Sequence, residues 1–403
     1  MSDSLRILHV VNYAWPRIDG YVVRTMGLLG AQQAILGADV SLAVSPFAPF
    51  AHGADPDFKL PAWGPHMQHA AVPDASPREW ERPGLGLSPL TSRAFAQGIE
   101  RIARDVRPDV IHAHHPHFIG SAAMRAARSL DIPFVYEARC FNGDYDLDRK
   151  NPYARLRGHL FNALEYRLAR SADAVVTISD GLARRLTEHK VDPNRLFVVR
   201  NSVDAERFEP GIRREPSNEV RVGYATSFEA IENLDALVEA AALAAPHYAS
   251  TGRRLRVIIA GAGRDWDRIR SLVEAHGVDD VVELPGFVPY GDMPDFYRNL
   301  DLFVVPRGHA TVAADTTPLK PLEALATGLP LLSTDLPALR ELCSERDDVR
   351  WSEPTARGLA QGLIAYADTP WVGAGVLAER TWKREIARYP DVYACATRHA
   401  AHS

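Results

Sequence analysis

The sequence predicts an α/β protein built from two doubly wound domains, and three observations predict it. Short continuous runs of Val, Ile and Leu alternate with helical stretches twice along the chain. Runs of that kind belong to strands buried on both faces, as in parallel sheets. The length of 403 residues is long for one hydrophobic core and comfortable for two. Between the two series, near Phe208–Ser217, the wording FEPGIRREPSNE is rich in Pro, Gly and charge and poor in apolar residues, as a domain boundary is.

In the first half the strand-like runs are Arg6–Val10, Asp39–Ser45, Val110–His114, Phe134–Glu137, Ala174–Ser179 and Leu196–Arg200. Helical stretches such as Val22–Leu36, Arg93–Asp105 and Gly120–Ser129 separate them. The region Pro46–Leu90, rich in Pro, Ala, His and Gly, has weak periodicity and reads as an irregular insertion or long loop. In the second half strands are expected at Val220–Ala225, Leu255–Ala260, Val281–Leu284, Leu302–Val305 and Leu331–Ser333. Helices are expected at Asn233–Ala245, Trp266–His276, Met293–Asn299 and Lys320–Thr327. Trp371 to Ala396 reads as helix-like, with Trp382, Tyr389 and Tyr393 offering large apolar faces. The expected division is 1–207, 208–375 and a closing segment 376–403.

Composition removes several classes of function. A net charge of −5 argues against a nucleic-acid partner. Three scattered cysteines, Cys140, Cys343 and Cys395, fit neither a disulfide framework nor metal-ligand spacing and favour a reducing compartment. The opening MSDSLRILHVVNYAWPR reads as a first strand, not a secretory signal, and no apolar run approaches a membrane span. A cytoplasmic protein is the expectation. Asp148–Arg170 is basic and amphipathic; it reads as a domain helix with a solvated basic face, with peripheral membrane contact as the alternative.

The most informative stretch is TTPLKPLEALATGLP, Thr316 to Pro330. It follows a strand and a loop carrying Arg307, and Lys320 and Glu323 lie three residues apart, on one face of a helix. Gly328 and Pro330 mark its end. A helix start beyond the carboxyl edge of a parallel sheet attracts phosphate, Lys320 adds a mobile cation, and Glu323 can accept from a ribose diol. Two further clusters carry chemistry. HAHHPHFIG places His112, His114, His115 and His117 together, and His112 and His114 share one strand face without an acidic or cysteine partner to complete a metal set. FVYEARCFNGD carries Glu137 and Arg139, whose fork suits a phosphate or carboxylate, or an ion pair with Glu137 or Asp144.

These motifs together resemble the retaining glycosyltransferases of family 4, from the first strand to the last helix, with wording closest to the exosortase-associated branch. The resemblance implies a glycosyltransferase B fold: two Rossmann-like domains facing across a cleft, the C-terminal helix crossing back to the first. It implies a metal-independent transfer from a nucleotide sugar, a UDP- or GDP-sugar, to a hydroxyl or amine of a small-molecule, glycan or lipid-linked acceptor. It points to Arg139, Asp315, Lys320 and Glu323 as catalytic. Asp315 stands where the family usually has Glu, one methylene longer. It points to Gly20, Arg24, Ser227, Gly261, Gly263, Phe287, Arg307, Leu319 and Glu341 for the donor. Tyr21, His114, His115 and Glu137 would line the sugar or acceptor site, and no metal is called for. Ser227 and Glu232 occupy places where most of the family carries Arg and Lys, so the diphosphate charge falls to Arg307 and Lys320. The alternatives are a sugar-nucleotide epimerase or pseudo-glycosyltransferase on the same fold, and a catalytically silent nucleotide-sugar-binding protein.

Overall fold

The computed structural model describes residues 4–14, 18–45, 66–69, 89–211, 217–343, 346–374 and 380–401. These form two compact units, Met1–Arg200 with Trp382–Ser403, and Asn201–Thr381.

The first unit runs β1 (Arg6–Val11), α1 (Gly20–Leu36), β2 (Asp39–Val44), β3 (His66–His69), α2 (Pro89–Val106), β4 (Val110–His114), α3 (His117–Ser129), β5 (Phe134–Ala138), α4 (Asp144–Leu147), α5 (Pro152–Ser171), β6 (Ala174–Thr177), α6 (Asp180–Glu188) and β7 (Leu196–Val198). All seven strands are parallel, in the order β3-β2-β1-β4-β5-β6-β7. Every residue of β4, β5 and β6 is buried, as helices on both faces require. Asp19 starts α1 by accepting from the Val22 amide, and Gly37 ends it at φ 64°.

The second unit runs β8 (Glu219–Ser227), α7 (Leu234–Ser250), β9 (Arg254–Ala262), α8 (Trp266–His276), β10 (Val282–Gly286), α9 (Met293–Arg298), β11 (Leu302–Val305), α10 (Thr311–Asp315), α11 (Lys320–Ala326), β12 (Leu331–Thr334), α12 (Pro337–Cys343), β13 (Val349–Ser352) and α13 (Ala356–Asp368). Its parallel sheet has the order β10-β9-β8-β11-β12-β13. The chain then returns to the first unit as α14 (Trp382–Ile386) and α15 (Tyr389–Ala400). Ile386, Tyr389, Val392 and Tyr393 join Val135, Ala174 and Val176 of that unit's sheet in one core. Each such side chain, fully buried, contributes about 1.5–3 kcal/mol of hydrophobic stabilisation.

Each sheet has one place where strand order reverses, β1 beside β4 and β8 beside β11, and the carboxyl ends there are where open α/β sheets bind ligands.

Three sequence expectations change. Trp371–Ala396 is not one helix. Residues 371–374 are irregular, and α14 and α15 are separated by a turn at 387–388, just before Pro390 in the first turn of α15. The insertion Pro46–Leu90 contains a parallel strand, β3, in register with β2, and the start of α2; its remainder lies outside the described residues. The sheet of the second unit also has a sixth strand, β13, whose short VRWS run carries too little apolar content to stand out.

Candidate functional site

At the reversal point of the second unit, the β8 end delivers Ser227 and Glu232 and the β11 end delivers Arg307. Ser227 is exposed. Glu232 is buried and takes both prongs of Arg307, Nη2 to Oε1 at 2.9 Å and Nε to Oε2 at 3.2 Å. Tyr224 donates its hydroxyl to the same carboxylate. Burial alone would raise the Glu232 pKa, but Arg307, its hydrogen bonds and Tyr224 hold it below the usual carboxylate range. The acid standing where a loop cation was expected is thus the ion-pair partner of the cation expected to replace it. Arg307 also donates to the Thr316 carbonyl at 3.2 Å, fixing the loop before α11.

Lys320 opens α11, half-buried, and acts electrostatically on both Glu232 and Glu323. No hydrogen bond or close ion pair engages its ammonium among the described residues. Glu323 is buried, and Tyr297 donates to its Oε2 at 2.8 Å. Burial pushes the Glu323 pKa up, against the opposing pull of Tyr297, Lys320 and Arg207. Leu319 is buried just before the helix, and Asp315 ends α10, half-buried. Phe287 is 42% exposed beyond β10, and Glu341 lies on α12, where its carbonyl accepts from Arg380 at 2.6 Å.

The glycines at the carboxyl end of β9 and just beyond it have a packing reason. A Cβ on Gly261, whose φ is 139°, would sit 1.7 Å from the Thr226 carbonyl oxygen. One on Gly263 would sit 2.6 Å from the Phe228 nitrogen. Both positions let the β9 loop lie directly against the β8 loop. Gly20 differs: a Cβ there meets nothing within 4 Å, and the adjoining helix start is already capped by Asp19.

In the first unit, the residues beside β1 and β4 form a buried polar circuit. Glu137, fully buried, accepts from Arg139 Nε at 2.6 Å, Arg24 Nε at 3.1 Å and the Tyr389 hydroxyl at 2.9 Å. Arg139 Nη2 lies 2.6 Å from His114 Nδ1. A guanidinium only donates, so that nitrogen accepts and the His114 proton sits on Nε2. From there one assignment satisfies every step. His114 Nε2 donates to His9 Nδ1 at 2.8 Å, and His9 Nε2 donates to Gln32 Oε1 at 2.8 Å. Gln32 Nε2 donates to the Tyr393 hydroxyl at 2.6 Å, and Tyr393 donates to His112 Nδ1 at 3.1 Å. His112 Nε2 faces Glu137 Oε2 at 3.7 Å, an ion-pair distance, and makes no hydrogen bond among the described residues. His112 and His114 stack at 4.6 Å, as two residues on one strand face must.

The nitrogens of His9, His112 and His114 lie within 4.8 Å of one another, close enough to suggest a metal triad. With this proton assignment Nδ1 of each of the three accepts a hydrogen bond, so a metal held by those nitrogens would have to displace them. Arg24 is similarly occupied: besides Glu137 it donates to the carbonyls of Val199 at 2.8 Å and Arg200 at 3.1 Å. Arg139 also donates to the Tyr21 carbonyl and Thr25 hydroxyl, both at 2.8 Å, and its guanidinium lies 4.4 Å from the Tyr21 ring centroid. The structure therefore brings Tyr21, Arg24, His114, Glu137 and Arg139 together. His115 stands apart, its Nε2 3.0 Å from Asn142 Oδ1 and 3.4 Å from Cys140 Sγ, its Nδ1 3.4 Å from buried Glu165.

Sequence reasoning missed His9, Gln32, Tyr389 and Tyr393 as circuit members. His9 lies in an ordinary strand run, RILHVV, and its one available signal is its in-register partner His112. Tyr389 and Tyr393 stand four apart on a helix, which signals a shared face but not its partner.

The circuit makes acid sensitivity of the first unit an expected outcome. Burial lowers the pKa of His9 and His112 well below the ordinary imidazole value and that of His114 to about 4. Between about pH 6.5 and 4 the unfolded chain binds protons that the native circuit refuses, so stability falls as pH falls. For His114 alone the loss is about 3 kcal/mol across that window. Below it, protonation of Glu137, which Arg24 and Arg139 hold low against the opposing effect of burial, removes more. Calorimetric scans across pH 4–7 check this; a first-unit transition independent of pH would contradict the neutral circuit.

Residues 19–202 match the family described as glycosyl transferase 4-like domain, and residues 175–368 match glycosyl transferases group 1. A protein of Escherichia coli K12 named for colanic acid biosynthesis, the glycosyltransferase WcaL, is 29% identical over 277 residues, covering 66% of this chain and 63% of its own. A D-inositol 3-phosphate glycosyltransferase of Nocardiopsis dassonvillei is 29% identical over 259 residues, 59% of this chain and 58% of its own. The chain thus aligns with about three fifths of each relative's length. Among solved structures, sucrose-phosphate synthase from Thermosynechococcus elongatus matches with a TM-score of 0.70 at 17% identity, over 99% of this chain and 98% of that one. Anabaena HepE in complex with UDP and glucose matches with a TM-score of 0.67 at 15% identity, over 99% of each chain. The fold is that of the glycosyltransferase B structures.

Proposed function

We propose that this chain, a glycosyltransferase of the family-4 type by the matches to both of its halves, moves a sugar from a nucleotide-sugar donor to an acceptor hydroxyl or amine. Transfer retains the anomeric configuration and needs no metal ion. The observation that carries the reading is the position of Lys320 and Glu323 on α11, which follows the loop and α10 that leave the carboxyl end of β11 at the reversal point of the second unit's sheet. Lys320 stabilises the departing diphosphate as negative charge develops on it. Arg307 contributes through donor capacity beyond its pairing to Glu232. Glu323 Oε1 meets the ribose diol, while Oε2 stays with Tyr297. Asp315 positions the sugar. The acceptor itself supplies the nucleophile, and the leaving phosphate takes its proton. That HepE was crystallised with UDP and glucose favours a UDP-sugar for the fold. Three free cysteines, two of them buried, suit a cytoplasmic setting, and no helix among the described residues is long and apolar enough to cross a membrane.

A second reading, a nucleotide-sugar-binding protein without transfer activity, draws support from one observation. The Arg307 charge is offset by Glu232, so among the described residues Lys320 is the uncommitted cation where two were expected. A thermal-shift screen against UDP-, GDP-, ADP- and dTDP-sugars, without added metal, tests the proposal. Selective stabilisation by one nucleotide is expected, since a ligand at 100 times its Kd adds about 2.7 kcal/mol to the native state. Slow donor hydrolysis with that nucleotide would mark an enzyme; binding without any turnover, with or without candidate acceptors, would favour the silent protein. No shift with any donor, in folded protein, would overturn the donor site.

A further inference from the structure

We infer that α5 is a membrane-docking helix that lays its outer face on an anionic lipid surface. The helix exposes an apolar stripe in addition to the face it buries, where a domain helix needs only the latter. Ala154, Gly158, Asn162, Glu165 and Tyr166 are buried against the first unit. On the opposite side Tyr153 is 82% exposed, Leu156 69% and Leu160 46%, at the spacing of a single stripe. Scattered apolar residues on a surface are ordinary, but three large ones in line on one short stretch are not. Tyr145, 48% exposed, lies on α4, which packs against the same helix.

The stripe is set in positive charge. From Asp148 to Arg170 there are six Arg and Lys against two acids, a surplus of four in a chain whose net charge is −5. Arg149, Lys150, Arg155, Arg167 and Arg170 are exposed, and one of the two acids, Glu165, is buried on the inner face. A depression of about 460 Å³ opens between Arg149, Asn151, Tyr153, Leu156, Arg157 and Leu160. Asp146 accepts from Arg157 at 2.7 Å and pairs with Arg149 at 3.4 Å, so two guanidiniums share one carboxylate beside the depression.

Charge decides the occupant. A second copy docked through the same face would set this cationic rim against itself, since a two-fold interface pairs a patch with its own image. An anionic leaflet complements it: each Arg or Lys near such a surface strengthens binding about fivefold, and the apolar stripe enters the headgroup boundary with the Tyr153 hydroxyl at the water side. The inference concerns the first unit's surface alone and does not depend on the donor reading.

The test sediments the full chain with vesicles of phosphatidylcholine alone and of phosphatidylcholine mixed with phosphatidylglycerol. The chain is expected to bind the mixed vesicles, less so at high salt. Leu156→Ser with Leu160→Ser, and separately Arg155→Glu with Arg167→Glu, should each weaken binding by about tenfold or more. The thermal transition should not move, because these side chains are exposed. Equal binding to both vesicle types, no binding to either, or undiminished binding of both variants would overturn the inference. So would concentration-dependent self-association without lipid that Leu156→Ser with Leu160→Ser abolishes, which would assign the stripe to a second copy.

Discussion

Replacing Glu137 with Gln should destabilise the first unit by about 3–5 kcal/mol, the cost of removing one partner from a buried ion pair. The size of the effect follows from what the carboxylate holds. Arg24 is 2% exposed and Arg139 5%, and the charge that offsets both is Glu137, itself at 0%. A glutamine keeps the shape and one acceptor oxygen but leaves two guanidiniums buried without a counter-charge. Its amide nitrogen would also confront donors, Tyr389 on one side or Arg24 and Arg139 on the other. The loss should appear most locally in α15, which Tyr389 and Tyr393 fasten to the circuit. Hydrogen exchange of the Tyr389–Ala400 amides should accelerate by roughly two to three orders of magnitude. The amides of α7 and α13 in the second unit should keep their protection. Adding Arg24→Met to Glu137→Gln should return part of the stability, because it removes one of the stranded charges. If the single variant exchanges like the parent, the circuit is ornamental and the charges are solvated by some other route.

The parts of this molecule that were legible in the sequence are those written in local pattern. Continuous Val/Ile/Leu runs such as LFVV and VIHAH announce buried parallel strands because each residue's neighbours lie on both faces of the sheet. The Lys320 and Glu323 pair was visible because three residues apart on a helix is a geometric statement in itself. What escaped detection depends on chain separation. Gln32 and Tyr393 are 361 positions apart, and nothing in QQAIL or DVYACA announces the other. Glu232 and Arg307 are 75 apart, and each alone reads as a loop charge. Sequence reasoning treated Glu232 as a lost cation. In the fold it is an anion that has found its own cation, and only the adjacency of β8 and β11 makes that pairing possible. The turn at 387–388 was hidden for a different reason: Pro390 suits the first turn of a helix as well as it disrupts an interior, so its presence alone does not place the break. His115 shows the same limit, because its grouping with His114 in HAHHPH is sequential and its hydrogen-bond partners are Asn142 and Cys140.

Lys320→Ala should lower donor affinity by about 10- to 100-fold, the value of a hydrogen bond to a charged group, about 1.5–3 kcal/mol, lost at the diphosphate. The expectation rests on the balance of charge around the second unit's reversal point. Glu232 offsets Arg307, and Ser227 brings a hydroxyl where a cation was anticipated. A departing diphosphate therefore has Lys320 as its principal uncommitted cation among the described residues. The variant has a second consequence that separates it from a mere packing defect. Lys320 is one of the groups holding the Glu323 pKa down against burial, so its removal should push that carboxyl further up. Where donor binding needs Glu323 ionised as an acceptor for the ribose, the variant's affinity should begin to fall, on acidification, at a higher pH than the parent's, an upward shift of the acid limb. Isothermal titration with the donor identified by thermal shift, across pH 5–8, reads both effects at once. Lys320→Arg keeps the charge and should retain most of the affinity, whereas a purely steric role would penalise the larger side chain more than alanine. Alanine at Lys320 with parental affinity and an unshifted acid limb would remove the diphosphate from this site, and with it the assignment of α11 as the donor helix.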